Sequence, residues 1–330
     1  MNQFTRAWLA PFMPLYRLGL ALRERRLASG REVEWELEWP VVSIGNLSTG
    51  GAGKTPLTIT LARALMARGF HVDVLSRGYG RADSGTALVQ KQGSAQHFGD
   101  EPVLIAREAG VPVYVDAERY EAGLLAESEQ KPDGPAVHLL DDGFQHRQLY
   151  RNVDIVLLDE HDWRDQLLPA GNLREERNAI KRADVVAIPA DQSALEAELR
   201  SWGWTGPVWK LHRRMDVPAM IGPAVAFCGI ARPEQFFAGL EAAGVQLTER
   251  IPFPDHHTYT QSDLQKLRAA LQSTGSSTLL TTEKDAVRLG KMANDLPLKT
   301  VPLRTGIENE SAAIDWLIGK IRSAEADRSL

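Results

Sequence analysis

Cysteine is almost absent from this sequence, and so are long uncharged apolar runs and any broad excess of positive charge. The single thiol, Cys228, has no internal partner, so the chain cannot hold an internal disulfide, which suits a reducing compartment. The formal net charge of −5 gives no reason to expect a nucleic-acid partner. With 330 residues, 43% of them hydrophobic, the chain is long enough for about two domains with buried cores.

The amino-terminal stretch departs from this acidic average. Six arginines and a single glutamate lie in residues 1–31, among apolar and aromatic side chains such as Trp8 and Phe12. The ten residues between Arg6 and Arg17 would make a helix of ~15 Å against ~30 Å of hydrocarbon, which argues against a membrane span. Interrupting arginines and the missing cleavage motif argue against a secretory signal. Two interpretations remain open: a segment lying on an anionic membrane surface, and a helix packed on the protein's own core.

Apolar runs alternate with helical patterns along the chain. PVVSIGNL, FHVDVLS, AVHLL, NVDIVLLD and ADVVAIP are strand-like, whereas PLTITLARALMARG has a helical pattern. Such alternation predicts an α/β fold with a mostly parallel sheet covered by helices. Prolines near residues 217–223 precede a second such series. We therefore predict an interfacial segment over 1–30, a core domain over 31–220 and a smaller α/β domain over 221–330.

The stretch STGGAGKT follows the first predicted strand and leads directly into the first predicted helix of the core. In this context, glycines let successive backbone N–H groups point at one anion, with the positive helix end behind them. Lys54 would reach the β- and γ-phosphates, and the Thr55 hydroxyl would bind Mg²⁺. The sequence therefore predicts a P-loop NTPase-like core. Its predicted phosphate loop comprises Ser48, Thr49, Gly50, Gly51, Ala52, Gly53, Lys54 and Thr55, with Ser48 in place of the usual first glycine.

A P-loop site also needs a carboxylate at the end of a neighbouring strand to hold its cation. Asp141 and Asp142 follow the run AVHLL, and we prefer them because adjacent carboxylates can divide direct and water-mediated contacts. Asp159, which ends NVDIVLLD, is the rival, and turn-capping aspartates are the plain alternative. No N-K-x-D guanine signature occurs, because Lys284 and Asp285 are adjacent, so we predict ATP as the nucleotide.

Two further stretches carry acid–base candidates. Asp100 in GDEPVL would serve equally well as the N-cap of the following helix. In FPDHHTY, a histidine beside a carboxylate would make a base for an alcohol. A transition-metal set of Asp255, His256 and His257 and a merely solvated loop are the alternatives.

Seven blocks in this order resemble the bacterial tetraacyldisaccharide 4′-kinases: GNLSTGGAGKTP, LSRGYG, GDEPVL, DDGFQH, LPAGNLRE, FPDHH and TTEKDAV. The resemblance runs from about Gly45 to Asp285. It implies transfer of the ATP γ-phosphate, with Mg²⁺, to the 4′-hydroxyl of a tetraacylated disaccharide 1-phosphate, which gives lipid IVA in lipid A biosynthesis. Within that family pattern, Ser48 is not anomalous.

The resemblance also implies roles for particular residues. Asp100 becomes the catalytic base, with His256 as the partner that orients or tunes it. Arg174 becomes a phosphate clamp or transition-state stabiliser, and Arg77 and Tyr79 become residues that line the site.

The implied partners are a lipid disaccharide and a membrane surface. The resemblance places the protein peripherally on the cytoplasmic face of the bacterial inner membrane, held on the anionic leaflet by its amino-terminal segment. It indicates no nucleic acid and no obligate protein partner. The alternative function is a membrane-associated P-loop ATPase that acts as a nucleotide switch for a protein partner. Such a switch would need the loop but no base directed at a sugar hydroxyl.

Overall fold

The computed structural model describes residues 6–30, 33–50 and 53–328. Over these residues the strands are β1 (Val41–Asn46), β2 (His71–Ser76), β3 (Ala87–Leu88), β4 (Val113–Val115), β5 (Ala136–Asp141), β6 (Val153–Leu157), β7 (Val185–Pro189), β8 (Val208–Met215), β9 (Ala224–Cys228), β10 (Leu247–Pro252), β11 (Thr278–Thr282), β12 (Leu298–Val301) and β13 (Leu303–Ile307). The helices are α1 (Met13–Ala28), α2 (Lys54–Ala67), α3 (Ala95–Phe98), α4 (Asp100–Ala109), α5 (Arg119–Glu129), α6 (Glu160–Arg164), α7 (Ser193–Ser201), α8 (Pro233–Ala242), α9 (Gln261–Thr274), α10 (Glu283–Leu289) and α11 (Glu310–Arg328). Short 3₁₀ segments cover Ala7–Phe12, Arg177–Arg182 and Gly290–Asp295.

The larger sheet has the strand order β13-β8-β7-β6-β1-β5-β2-β4-β3. Its inner neighbours are all parallel, and only the edge pairs β13–β8 and β3–β4 are antiparallel. The predicted mostly parallel, P-loop-like sheet is therefore confirmed. Because parallel strands point the same way, the segments that follow β1, β5 and β6 leave the same edge of the sheet.

Helices cover both faces of this sheet, which explains why its central strands are buried and mainly apolar. On one face, Leu61 of α2, Ile105 of α4 and Leu317 of α11 belong to one core with the strand residues. On the opposite face, Trp163 of α6 and Leu195 of α7 form a second core, against which α1 packs. Strands β1 and β5 are buried along their whole length, as expected for a sheet covered on both sides.

The smaller sheet has the order β10-β9-β11-β12 and is parallel throughout. Phe227 of β9 faces a core that includes Leu267 of α9. Ala226 faces the other way, into a core that includes Phe237 of α8. The smaller unit is thus also an α/β layer structure, with helices on both faces.

The carboxyl-terminal segment returns to the larger sheet. Strand β13 pairs with β8 in antiparallel register, from Leu303 opposite Met215 to Ile307 opposite Leu211. Helix α11 then packs in the core of the larger unit. Residues 303–328 therefore pair and pack with the larger unit, although the prediction placed them in the smaller one. The remaining predicted boundaries, near residues 30 and 221, stay predictions.

Candidate active site

The phosphate loop lies between β1 and α2, where its sequence context predicts it. Gly50 and Gly53 have φ values of +148° and +91°, which side chains disfavour and glycine adopts readily. Lys54 is the first residue of α2, so it stands at the positive end of that helix. The predicted loop residues Gly51 and Ala52 lie outside the described part of the chain.

Ser48 occupies a buried position at the start of this loop. Its hydroxyl donates to Oδ2 of Asp162 at 2.7 Å and accepts from Nδ2 of Asn46 at 3.0 Å. The backbone N–H of Thr49 donates to the carbonyl of Asn172 at 2.8 Å. The hydroxyl at position 48 thus makes two hydrogen bonds that a glycine could not make.

Lys54, Asn46, Asp142 and Arg174 form one polar cluster at the start of α2. The Lys54 Nζ atom donates to Oδ1 of Asn46 at 3.0 Å and lies 3.4 Å from Oδ1 of Asp142. Arg174 donates two hydrogen bonds, of 2.8 and 3.0 Å, to the same Asp142 carboxylate. It also donates to Oδ1 of Asn46 at 2.6 Å. Sequence reasoning predicted three of these residues and missed Asn46. The signal for Asn46 was its place as a polar residue at the carboxyl end of a buried strand.

Asp141 and Asp142 present two very different carboxyl groups. Asp141 ends β5 and is 2% exposed, and burial, followed by the charges of Glu101 and Asp142, raises its pKa to about 7. Asp142 follows with a φ of +53°. Burial favours the neutral form of Asp142, but the Lys54 ammonium and the Arg174 guanidinium outweigh it and hold its pKa well below the usual range.

The rival carboxylate, Asp159, has other partners. It is the N-cap of α6, where its Oδ1 accepts from the backbone N–H of Asp162 at 2.7 Å. Its Oδ2 accepts from Nη1 of Arg232 at 2.6 Å. The preference for Asp141 and Asp142 as metal ligands stays a prediction, with Asp159 engaged in capping and ion pairing.

Asp100 and His256 come together from the two units. Asp100 is the first residue of α4 and 5% exposed, and Nδ1 of His256 lies 3.4 Å from its Oδ2. Nε of Arg288, in α10, donates to the same oxygen at 2.7 Å. Burial opposes ionisation of Asp100, but the hydrogen bond with His256 and the charges of Arg288 and Lys284 lower its pKa strongly. Arg288 was missed because no motif marks it.

The pairing also changes the histidine. Its contact with the ionised Asp100 raises the pKa of His256, although partial burial and the charge of Arg288, whose Nη2 lies 3.3 Å from Nδ1 of His256, act in the opposite direction. The φ of His256 is +56°, which a non-glycine residue adopts only when its surroundings require it. The ring of Tyr79 lies 5.3 Å away, centroid to centroid.

Two charged residues of the TTEKDAV block have specific partners in the structure. Lys284 forms an ion pair with Glu101. Asp285 is fully buried and accepts hydrogen bonds from the Gly229 N–H and from the Tyr259 hydroxyl, both at 3.0 Å. Its carboxylate also contacts Arg288 at 3.0 Å, so a buried acid supports the arginine that reaches Asp100.

The two adjacent histidines turn towards different partners. His257 contacts Oδ2 of Asp263 at 3.1 Å and stacks on Phe253, with ring centroids 4.7 Å apart. His256 instead faces Asp100. This divergence does not suit the alternative in which Asp255 and both histidines bind one transition metal.

Cationic side chains gather near His146, beside the Asp142 cluster. Arg119 is 7% exposed, and burial, together with the charge of Arg77, lowers its pKa to about 10. Burial and the neighbouring arginines, Arg119 first among them, lower the pKa of His146 to about 3. Tyr79, whose ring lies beside that of His256, is 63% exposed. Arg119 was missed because it opens a helix outside every block.

Helix α1 has one packed face and one exposed face. Met13, Tyr16 and Leu20 pack against the core of the larger unit, and the Tyr16 hydroxyl donates to the carbonyl of Arg174 at 2.9 Å. The other face is open: Leu15, Leu18 and Leu22 of α1 are exposed, and so are Trp8 and Phe12 of the preceding 3₁₀ segment. Within the described residues, every helix falls short of the length and apolar character needed to cross a bilayer.

Comparison with known proteins gives concordant matches. The family model described as tetraacyldisaccharide-1-P 4′-kinase matches residues 5–322. A tetraacyldisaccharide 4′-kinase of Koribacter versatilis is 40% identical over 320 residues, covering 93% of this chain and 97% of the relative. Another, of Geobacter metallireducens, is 38% identical over 322 residues, covering 90% and 92%.

The crystal structure of the "apo" form of LpxK from Aquifex aeolicus in complex with ATP is also similar, with a TM-score of 0.76 and 32% identity. It covers 96% of this chain, and this chain covers 99% of it. These matches confirm the family predicted from the seven blocks, the P-loop kinase fold and the enzyme class. The chain belongs to the tetraacyldisaccharide-1-P 4′-kinase family.

Proposed function

We propose that the chain transfers the ATP γ-phosphate to the 4′-hydroxyl of a tetraacylated disaccharide 1-phosphate, which gives lipid IVA for lipid A biosynthesis. The observation that carries the proposal is the closeness of the phosphate-loop cluster to the Asp100–His256 pair. Helices α2 and α4, which begin at Lys54 and Asp100, pack in the same core, and Glu101 in α4 is the leading charged neighbour that raises the pKa of Asp141. A nucleotide loop and a base for an alcohol therefore share one region, and a nucleotide switch needs no such base.

ATP and Mg²⁺ fit the donor groups of the phosphate loop. The loop amides and Lys54 would hold the β- and γ-phosphates, and Thr55, Asp141 and Asp142 would hold the cation. Hydroxyl and carboxylate oxygens are the ligands that Mg²⁺ prefers, and a nearby cation would ionise the buried Asp141. When bound, the cation neutralises charge on the phosphates.

Within the acid–base pair, the geometry favours His256 as the group that takes the proton, whereas the family resemblance assigned this role to Asp100. Both Asp100 oxygens have partners, because Oδ1 accepts from the Glu101 N–H at 2.9 Å and Oδ2 accepts from Arg288. The side chain of His256 is 38% exposed and that of Asp100 only 5%. An ionised Asp100 would orient the imidazole and make it a stronger base for the 4′-hydroxyl.

Arg174 and Lys54 would stabilise the phosphoryl group in the transition state of its transfer. Both cations contact the Asp142 carboxylate, so both stand at the point where the β5 end meets the phosphate loop. A guanidinium with a fixed fork is suited to phosphate oxygens, and such cations act on charge that develops in the transition state.

The acceptor would lie on the side of Arg77 and Tyr79. Tyr79 packs beside His256, which suits a residue that contacts the sugar near the reacting hydroxyl. The cationic group of Arg77 and Arg119 suits an anionic substituent such as the 1-phosphate.

The lipid acceptor also accounts for the open face of α1. We propose that this face rests on the anionic cytoplasmic leaflet of the inner membrane, with the exposed Arg25 and Arg26 of α1 near the headgroups. The contact of Tyr16 with Arg174 ties this helix to the catalytic cluster. A peripheral enzyme would thereby reach a membrane-embedded acceptor without extracting it.

The decisive experiment supplies γ-³²P-ATP and Mg²⁺ to the full chain with a tetraacyldisaccharide 1-phosphate in detergent micelles. Label should appear in the lipid at the 4′ position. The matched control is the same lipid already phosphorylated at 4′, which should accept no label. Release of inorganic phosphate without labelled lipid would reject the kinase assignment in favour of the switch.

A further inference from the structure

Arg232 joins the smaller unit to the larger one through two carboxylates. It lies in the loop between β9 and α8, with 23% of its side chain exposed. Its Nη1 donates to Asp159 at 2.6 Å and its Nη2 donates to Asp162 at 3.0 Å. The guanidinium therefore bridges the first turn of α6.

The Asp162 carboxylate connects Arg232 to the phosphate loop. Its side chain is 1% exposed, and while Oδ1 accepts from Arg232, Oδ2 accepts from the hydroxyl of Ser48 at 2.7 Å. Ser48 in turn accepts from Asn46, whose Oδ1 accepts from the Lys54 ammonium. A continuous series of hydrogen bonds thus runs from the smaller unit to the lysine of the loop.

We propose that Arg232 is a positioning residue: by docking on Asp162 it fixes Ser48, and with it the start of the phosphate loop, in the geometry that binds the nucleotide. The inference rests on the proposed ATP-binding function of this loop. It also gives Ser48 a task that a glycine could not perform, because only a hydroxyl can link Asp162 to Asn46.

The alternative use of the same carboxylates is a cation site. Asp159, His161 and Asp162 place one ligand atom each within 4.8 Å of one another. The Arg232 guanidinium already contacts both aspartates, however, so it supplies the positive charge that a cation would bring. An arginine in this position favours a fixed ion pair over a metal site.

The test measures ATP binding with Mg²⁺ by calorimetry on the full chain, without a lipid acceptor. Arg232→Met removes the charge and keeps the volume, and we expect it to weaken ATP binding about 10-fold. Arg232→Lys should recover part of the loss, because an ammonium can still contact one carboxylate. In Arg232→Met combined with Ser48→Ala, the loss should not exceed the larger single loss, since both changes break one connection.

The matched control is Arg250→Met, which removes another ion pair of the smaller unit, with Glu241, and should leave ATP affinity unchanged. The proposal is overturned if Arg232→Met binds ATP within about two-fold of wild type, if the two single losses multiply, or if Arg250→Met weakens binding equally. Should Arg232→Met fail to fold, Asp162→Asn provides the same comparison. Because no acceptor is used, failure of the 4′-kinase assignment would leave this measurement unaffected.

Discussion

Arg288 donates to the same Oδ2 atom of Asp100 that lies 3.4 Å from Nδ1 of His256. The arginine comes from α10 of the smaller unit and is itself supported by the buried Asp285. Its positive charge keeps Asp100 ionised, and an ionised Asp100 stabilises the imidazolium form of His256 against the opposing charge of Arg288 itself, whose Nη2 lies 3.3 Å from Nδ1. The base strength of the histidine therefore depends on a carboxylate that a second cation holds in place.

The pH dependence of turnover follows from this pairing. The pKa of His256 is raised above its ordinary 6.5, and the residue must be neutral to accept a proton, so kcat should increase as the pH rises through that raised value. Asp100→Asn removes the negative charge, so it should shift this acid limb to lower pH while it lowers maximal kcat ~10²-fold. The measurement is kcat against pH at saturating substrates. An acid limb that stays in place in Asp100→Asn would contradict the assignment.

Lys54→Ala should abolish most phosphate transfer without unfolding the protein. The ammonium contacts a polar cluster at the loop and contributes no apolar core contact, so the expected loss is ~10²-fold or more in kcat with little change in melting temperature. Lys91→Ala, at an exposed loop lysine, is the control. Near-normal turnover by a folded Lys54→Ala protein would show that the loop does not bind phosphate as proposed.

Asp141→Asn and Asp142→Asn should each lower turnover and raise the Mg²⁺ concentration that supports half-maximal activity. Each change removes one negative ligand and preserves shape. Asp142→Asn should also lose ion pairing with Lys54 and Arg174, so its loss should persist at saturating Mg²⁺. Asp133→Asn, at an exposed carboxylate that precedes β5 and so lies at the opposite end of that strand from the loop, serves as the control. Mg²⁺ titrations identical to wild type would remove both residues from the metal site.

The two faces of α1 should behave differently on membranes. Replacing Leu15 and Leu18 by serine changes the open face and should weaken binding to vesicles that contain anionic lipid, with the remaining binding reduced by salt. Replacing the packed Met13 and Leu20 instead should lower the melting temperature. Sedimentation of vesicles with each variant makes the comparison. Equal vesicle binding by wild type and the Leu15/Leu18 variant would favour a purely structural helix.

Stability should fall at alkaline pH because of His138. This fully buried imidazole lies 2.7 Å from Asp73 and 3.2 Å from Glu127. Burial opposes its charge, but the two carboxylates outweigh it and raise its pKa from 6.5 to about 9. The stabilisation is therefore complete below pH 6.5 and is lost as the pH passes 9, a loss of roughly 3 kcal/mol. Urea unfolding against pH should show this slope, and His138→Gln should lack it.

The sequence was informative where local pattern decides structure. The buried strands β1, β5 and β6 are mainly apolar runs with few polar residues, and the glycines and lysine between β1 and α2 have a specific physical use, so both could be predicted. Strand β10 was missed because Thr248, Glu249 and Arg250 give it the composition of a loop, which its edge position tolerates. The return of β13 to the larger sheet was missed because no local pattern states which sheet a strand joins.

Within the site, what sequence could not supply are contacts between distant segments. The family blocks named Asp100 and His256 together, but Arg288 lies 188 residues from Asp100, and only the fold shows that they meet. The roles of Asn46 and Arg232 likewise depend on partners that their spacing in the sequence does not predict. Motifs mark residues with a specific local use, whereas supporting residues are defined by the packing of the two units.

The late return of β13 and α11 constrains how this protein is made on the ribosome. Strand β8 and helix α2 lack part of their contacts until residues 303–328 have been synthesised. One such contact is the hydrogen bond of 2.6 Å from the Thr60 hydroxyl to the Thr305 carbonyl. Synthesis proceeds at about 5–20 residues per second, so the nascent larger unit exposes the apolar groove under α11 for roughly 5 to 20 seconds while residues 216–328 are translated. The smaller unit, whose strands β9 to β12 are contiguous in sequence, can fold first. The larger unit, whose strands begin earlier in the sequence, is thus the last to be completed.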